Sequence, residues 1–269
     1  MVRKDIVECG RQITMRGFMW GMVSNGMLLT ESKLKDLIGA GLKTIAISLD
    51  GFADEHNWMR GNLCSFDKAV NAINALAKSN ITWDVITCVN QRNSHSLAEF
   101  RDFLISIGVK HWRIFTVFPS GRAKDDDELQ LSPENYIKLM DFIVAEKRRG
   151  KINLSYSCDG FLGRYEHKVR AYQYFCQAGI NVASILANGS ISGCLSIRGE
   201  YHQGNIRTHK FSEAWNDGFC IYRNRQWMKK GECAECSFWQ YCEGNGMHLR
   251  ESDGSLTMCN LHRLKTSHD

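Results

Sequence analysis

No stretch of this chain approaches the roughly 18 consecutive apolar residues that a bilayer-crossing helix needs. Its first residues, MVRKDIVECGRQ, hold no apolar core of the kind a secretion signal carries. A cytoplasmic protein is the expectation, with no membrane partner. Clustered basic charge is also lacking: the net charge of +5 is spread over 269 residues, so it gives no footprint for nucleic acid. Internal repeats and low-complexity tracts are absent. The nine histidines form no H-x-E or H-x3-H pair, which leaves them solvated or core roles. What remains is a globular chain, 43% hydrophobic and 23% charged, large enough for one sizeable or two ordinary domains. Its eleven cysteines, in a reducing compartment, read as metal ligands or buried thiols rather than disulfides.

Up to about residue 125 the pattern alternates between strand and helix. FMWGMV (18–23) is a short apolar run ending in the turn Ser24-Asn25-Gly26. Thr30 is placed to cap a helix through ESKLKDLI, closed by Gly39 and Gly41. The strand KTIAISL (43–49) and a loop follow. A helix from Ser65 carries Phe66, Val70, Ile73 and Leu76 on one face. Strand TWDVITCV (82–89), a helix with the capping box Ser96-x-x-Glu99, and strand WRIFTVF (112–118) complete the series. Strands separated by helices at this rhythm predict an α/β fold with a parallel sheet, its ligands at the C-terminal strand ends. Four strands cannot close an eight-stranded barrel, so the sheet is open or incomplete. A last helix, capped by Ser132 with Pro133 in its first turn, ends at Gly150. The domain boundary is expected there, giving 1–150 and 151–269. The second part is rich in glycine, cysteine and aromatics, with short strand-like pieces such as NVASILA. It lacks sustained apolar periodicity and would need a metal to hold it together.

The cysteines of that second part are patterned. Cys233, Cys236, Cys242 and Cys259 read C-x2-C-x5-C-x16-C, a full tetrahedral thiolate set for a metal or an iron–sulfur cluster. Cys176 and Cys194 read C-x12-G-x4-C, with Gly189 in the glycine position. Spacing alone leaves structural zinc open beside iron–sulfur for the set of four. For the pair, cluster ligation and buried free thiols both stand. Cys9, Cys64 and Cys88 have no such partners and read as packing thiols.

Taken together, these residues resemble the radical S-adenosylmethionine (SAM) enzymes that carry a C-terminal SPASM domain. That domain's pattern is C-x9–15-G-x4-C, a gap, C-x2-C-x5-C-x3-C, a gap and a last cysteine. Here the fourth position of the central block is Gly246. The resemblance implies that Cys233, Cys236, Cys242 and Cys259 hold an auxiliary [4Fe–4S] cluster, and that Cys176 and Cys194 belong to a first cluster that has lost a ligand. Cys158 lies off the spacing. Ser24-Asn25-Gly26 looks like the family's turn after the third strand. Ser48-Leu49-Asp50-Gly51 with Met59-Arg60-Gly61 looks like its S-x-D-G…RG segment. The implied SAM contacts are Ser24, Asn25, Ser48, Asp50 and Arg60, with the serine and arginine on SAM's carboxylate and ribose. Such chemistry suits a hydroxyl donor and a bidentate guanidinium. Residues 119–123 (PSGRA) look like the loop near the adenine. Trp215, Trp227 and Trp239 would shield a cluster and tune its potential, while Met19, Met22 and Met27 read as core filler.

The defining C-x3-C-x2-C loop of the family, and its GGEP motif, do not occur in this sequence. The expectation is therefore an N-terminally truncated radical SAM/SPASM protein. It would be a partial (β/α) barrel with an open parallel sheet, followed by a small cysteine-rich cluster domain, and it would bind a cluster without cleaving SAM. In the intact form the resemblance implies an oxidoreductase acting on a peptide or protein by hydrogen abstraction, with a flavodoxin or ferredoxin as reductant; no catalytic residue is assigned. Leu195 follows Cys194 where formylglycine-generating members place an aspartate, which argues against sulfatase maturation. The alternatives are a non-enzymatic iron–sulfur electron-transfer or peptide-binding module, and a zinc-stabilised binding protein. An open sheet edge near the start would leave backbone groups unpaired and make the isolated chain poorly behaved.

Overall fold

Apolar β-branched runs punctuated by capped helices build a parallel α/β sheet in the first part of the chain. The computed structural model describes residues 3–157, 159–197 and 199–265. The chain divides into two units, Met1–Val117 with Asp125–Ser157, and Phe118–Lys124 with Cys158–Asp269.

The first unit runs α1 (Ile6–Met15), β1 (Trp20–Ser24), α2 (Glu31–Gly39), β2 (Leu42–Ser48), α3 (Ala53–Arg60), α4 (Ser65–Ala77), β3 (Thr82–Val89), α5 (Leu97–Ser106), β4 (His111–Thr116), α6 (Pro133–Arg149) and β5 (Asn153–Tyr156). The strands lie in the order β1-β2-β3-β4-β5, every neighbouring pair parallel. Ile45, Ile47, Val85, Trp112 and Ile114 are fully or almost fully buried along the middle strands, as expected where helices cover a parallel sheet. Thr30 caps α2 by accepting from the Lys33 amide, 3.1 Å. Ser132 caps α6 by accepting from the Asn135 amide, 3.2 Å.

Several expectations need correcting. α1 forms around Cys9, whose surroundings read as helix-like, while α3 forms where a loop was expected. α3 reads ADEHNWMR, whose charged residues hide any apolar stripe. The Ser96 hydroxyl donates back to the Asn93 carbonyl, 3.3 Å, instead of capping α5. α4 buries Ala69, Ala72, Ile73 and Leu76, a stripe offset from Phe66 and Val70. The sheet gains a fifth strand, β5, which pairs with β4, so the first unit reaches Ser157 beyond the boundary expected at 150. β1 is an edge strand, and Met15, Phe18, Met19 and Val23 stand exposed near it. Met19 is therefore no core filler.

The second unit has little regular structure. Among the described residues it holds one small sheet, pairing β6 (Ser184–Ile185) with β7 (Ile191–Ser192), antiparallel. Packing centres on Tyr174, Ile191, Phe219, Tyr222 and Met247, with Cys176 among them and Cys194, Cys242, Trp215, Trp227 and Trp239 packed against them. A buried ion pair replaces some of the missing ladders. Glu166 accepts from Arg170 at 2.9 Å and from the Leu162 and Tyr174 amides at 2.8 and 3.0 Å, which satisfies a carboxylate that would otherwise be costly to bury. No helix among the described residues is long and apolar enough to cross a membrane.

Candidate functional site

In the first unit, parallel strands deliver their last residues to one edge. Ser24 ends β1 and Ser48 ends β2, two strands paired in register (Ser24 opposite Ile47). Ser24, Asn25, Ser48 and Arg60 line one hollow of about 390 Å³, with Arg3, Ile6, Met22 and Val23. Four of the five residues implied as SAM contacts are thus brought together at the C-terminal ends of the strands. The Ser24 hydroxyl and the Asn25 amide oxygen accept from the Gly26 and Met27 amides, 3.1 and 3.2 Å, and fix the turn.

The fifth, Asp50, does not line the hollow. It is wholly buried behind it and holds Arg60 in place: Arg60 Nε donates to Asp50 Oδ2 at 2.7 Å. His56, four residues before Arg60 on α3, is fully buried, and its Nδ1 lies 3.2 Å from the same carboxylate oxygen. The i, i+4 spacing aims both side chains at one point. The Cys88 amide donates to Asp50 Oδ1 at 3.0 Å, and Asn93 Nδ2 donates to the Asp50 carbonyl at 2.5 Å. Burial pushes the Asp50 carboxyl up. The His56 hydrogen bond, the Arg60 charge and hydrogen bond, and the Cys88 amide outweigh it and hold the group below the usual carboxylate range. Arg60 is 29% exposed, and with Nε engaged its two terminal amino groups remain to clamp a carboxylate. His56 was missed in the sequence. Its only signal was its place one helical turn before Arg60, on a helix that went unrecognised.

In the second unit, Cys233, Cys236, Cys242 and Cys259 form one electrostatic neighbourhood. The Cys242 thiol is pushed up to about 12, first by burial and then by Cys259, Cys233 and Cys236, with the Asn245 amide opposing. Burial also raises the Cys259 thiol, and Cys233 adds to the rise. Cys233 is buried and the other three are half-buried. Among the described residues, no three Cys, His, Asp or Glu groups stand at the spacing of a single bound ion. Four thiol side chains are donors suited to zinc and to an iron–sulfur cluster alike. Arg250 Nη2 donates to Cys233 Sγ at 3.2 Å.

Cys176 and Cys194 are placed differently. The Tyr222 ring packs against the backbone beside both. A Cβ at Gly179 would fall 2.4 Å from Tyr222 Cβ, and one at Gly193 would fall 2.7 Å from its Cε1. Burial raises the Tyr222 hydroxyl, the Ser192 hydroxyl and Gly193 amide oppose, and the Cys194 and Cys176 thiols add to the rise. At Gly246, where the cluster pattern calls for a cysteine, a Cβ would lie 2.6 Å from His248 Cε1 and 3.1 Å from the Tyr174 hydroxyl. A cysteine at this position would require the His248 ring to shift. Cys158 lies outside the described residues. Cys88 is half-buried, and Cys9 is half-buried with its Sγ 3.7 Å from Asp5. Cys64 is exposed, contrary to the packing role expected of it.

Residues 1–104 match the family model of the radical SAM superfamily, and residues 176–237 match the SPASM iron–sulfur cluster-binding domain. The AdoMet-dependent heme synthase of Methanosarcina barkeri is 25% identical over 261 residues, covering 91% of this chain and 74% of that protein. The mycofactocin maturase MftC of Mycolicibacterium smegmatis is 28% identical over 255 residues, covering 88% of this chain and 64% of that protein. Among solved structures, native anSMEcpe with bound AdoMet superposes with a TM-score of 0.66 at 18% identity, over 94% of this chain and 72% of that one. Streptococcus suis SuiB bound to precursor peptide SuiA gives 0.64 at 15%, over 92% and 57%. At such identities these structures share the fold.

Proposed function

This chain belongs to the radical SAM superfamily and carries a SPASM domain; on that premise we propose that it binds one [4Fe–4S] cluster and presents a half-site for SAM. The observation that carries the cluster assignment is the match of residues 176–237 to the SPASM iron–sulfur cluster-binding domain, together with the C-x2-C-x5-C-x16-C spacing of four cysteines. Cys233, Cys236, Cys242 and Cys259 would hold the cluster. Cys176 and Cys194 would stay free thiols: the position where the pattern calls for a further ligand is Gly246, and a cysteine there would require His248 to shift. Reduced thiols of this kind suit a cytoplasmic setting.

SAM, when bound, supplies the hydrogen-abstracting chemistry that the family is built around. This chain's own residues do the positioning. Arg60, oriented by Asp50, would clamp the methionine carboxylate through its terminal amino groups. The Ser48 hydroxyl at the end of β2 would serve the ribose. The eleven cysteines include no C-x3-C-x2-C triplet, so the chain by itself would bind SAM without cleaving it.

The substrate class proposed for the active form is a peptide or protein, in line with the SuiB complex with its precursor peptide. A flavodoxin or ferredoxin would be the reductant. A second reading, an iron tetrapyrrole, is favoured by relatives named heme synthase and Fe-coproporphyrin III synthase, which match 91% of this chain. Equilibrium dialysis of SAM against the reconstituted protein tests the half-site. Saturable binding that falls about tenfold in Arg60→Lys, roughly the 1.4 kcal/mol of one lost charge-assisted hydrogen bond, supports it. Binding indifferent to that substitution would sink it.

A further inference from the structure

The chain segments that bear three of the four clustered thiols meet at one guanidinium. Arg250 is 7% exposed. Its Nη2 donates to Cys233 Sγ at 3.2 Å and to the Gly244 carbonyl at 2.6 Å, and Nε donates to that carbonyl at 3.1 Å. Its Nη1 donates to the Gly254 carbonyl at 2.9 Å. Gly244 lies two residues past Cys242, and Gly254 lies in the turn that leads to Cys259. The same stretch is closed by a bridge between Arg250 and Leu256 and by the Thr257 amide donating to the Leu249 carbonyl, 2.9 Å. One side chain thus fixes the Cys233 segment, the Cys242 turn and the approach to Cys259 relative to one another.

Its charge matters as much as its bonds. Among the described residues Arg250 makes no ion pair with a carboxylate. A buried cation without a counter-charge is costly. What stands against it is the sulfur of Cys233, which is anionic when it ligates iron.

We propose that Arg250 is the positioning residue of the four-thiol centre: it assembles three ligand-bearing segments and, through the Cys233 sulfur, raises the reduction potential of the cluster bound there. The inference rests on the reading that the four thiols hold an iron–sulfur cluster. Hydrogen bonds to cluster sulfurs and nearby positive charge favour the reduced, more negative state. No part in hydrogen abstraction is assigned to this residue.

The test uses the full chain, reconstituted with iron and sulfide without oxygen, as wild type, Arg250→Lys, Arg250→Gln and Arg223→Gln. Arg223 donates to the carbonyls of Gly179, Asn216 and Trp215, so its variant reports loss of a structural arginine elsewhere in the same unit. Iron and sulfide are counted first, and the midpoint potential is then read by EPR-monitored titration. The expected result is that Arg250→Gln makes the reduced state about tenfold less favourable, a shift of roughly −59 mV for one electron. Arg250→Lys should recover part of the shift, and Arg223→Gln should leave the potential unchanged. If Arg250→Gln fails to load, iron retained in Arg250→Lys with a lowered potential still supports the assignment. Loaded Arg250 variants with the wild-type potential would overturn it. So would a shift of equal size in Arg223→Gln. Wild type that takes up zinc and no sulfide would instead refute the cluster reading itself, a separate outcome.

Discussion

The two units solve the same problem, holding polar groups still inside a protein, by opposite means. In the first, a sheet of five parallel strands and its covering helices supply the rigidity, and the hollow at Ser24, Ser48 and Arg60 is an edge feature of a finished core. Asp50, His56 and Arg60 are pinned by backbone that would be ordered without them. In the second, regular structure is sparse, and order rests on buried polar hubs: Glu166 with Arg170, and Arg250 among the thiols. There the site and the fold are one object. A site built on a scaffold tolerates loss of its ligand, whereas a fold built around its site does not.

The largest expected effect breaks the two apart. Stripping the cluster with a chelator should abolish cooperative unfolding of the second unit and leave the first nearly unchanged, read by hydrogen exchange on β2–β4 and on 220–260. Equal loss of protection in both would erase the distinction. Next in size is Asp50→Asn. It leaves Arg60 and His56 facing a neutral amide and should cost the first unit about 2–3 kcal/mol, less than a fully enclosed pair because Arg60 is partly solvated. Denaturant unfolding with second-unit protection followed in parallel checks that the loss stays local.

A pH series sharpens the same point. The Asp50 carboxyl is held below its usual range by His56, Arg60 and the Cys88 amide against the upward push of burial. The stability this confers is present above the unfolded value near 3.9 and is lost as pH falls through the lower folded value. First-unit stability should therefore drop in acid below about pH 4, and Asp50→Asn should flatten that drop. An unaltered acid limb in the variant would mean that another group governs it. The smallest effect belongs to the β1 edge, where Val23 is 63% exposed. Val23→Lys should change stability by no more than about 0.5 kcal/mol while reducing self-association in sedimentation. A large loss of stability there would show that the edge is packed after all.

The sequence made some of this legible and not the rest, for physical reasons. Thr82–Val89 was read to the residue because β-branched residues and a glycine-free run leave no competing period. The four-cysteine pattern was visible because it is a matter of spacing alone. The work of Asp50 was not, because it depends on α3, whose eight residues carry too much charge to show an amphipathic stripe. β5 was missed because Asn153–Tyr156 is only four residues long and acquires its identity by pairing with β4. The packing of Tyr222 against Gly179 and Gly193 is set by the folded chain: Tyr222 lies 46 residues beyond Cys176, and nothing local announces it. Gly246 was visible as a missing ligand, though not the His248 ring beside it.

The most direct measurement is the count of iron, acid-labile sulfide and zinc per chain after anaerobic reconstitution, in wild type and in Cys176→Ser/Cys194→Ser. One cluster on Cys233, Cys236, Cys242 and Cys259 predicts about four irons and four sulfides in both proteins. Roughly eight irons in wild type, falling to about four in the double variant, would contradict the single-site account. About one zinc without sulfide would contradict the cluster altogether.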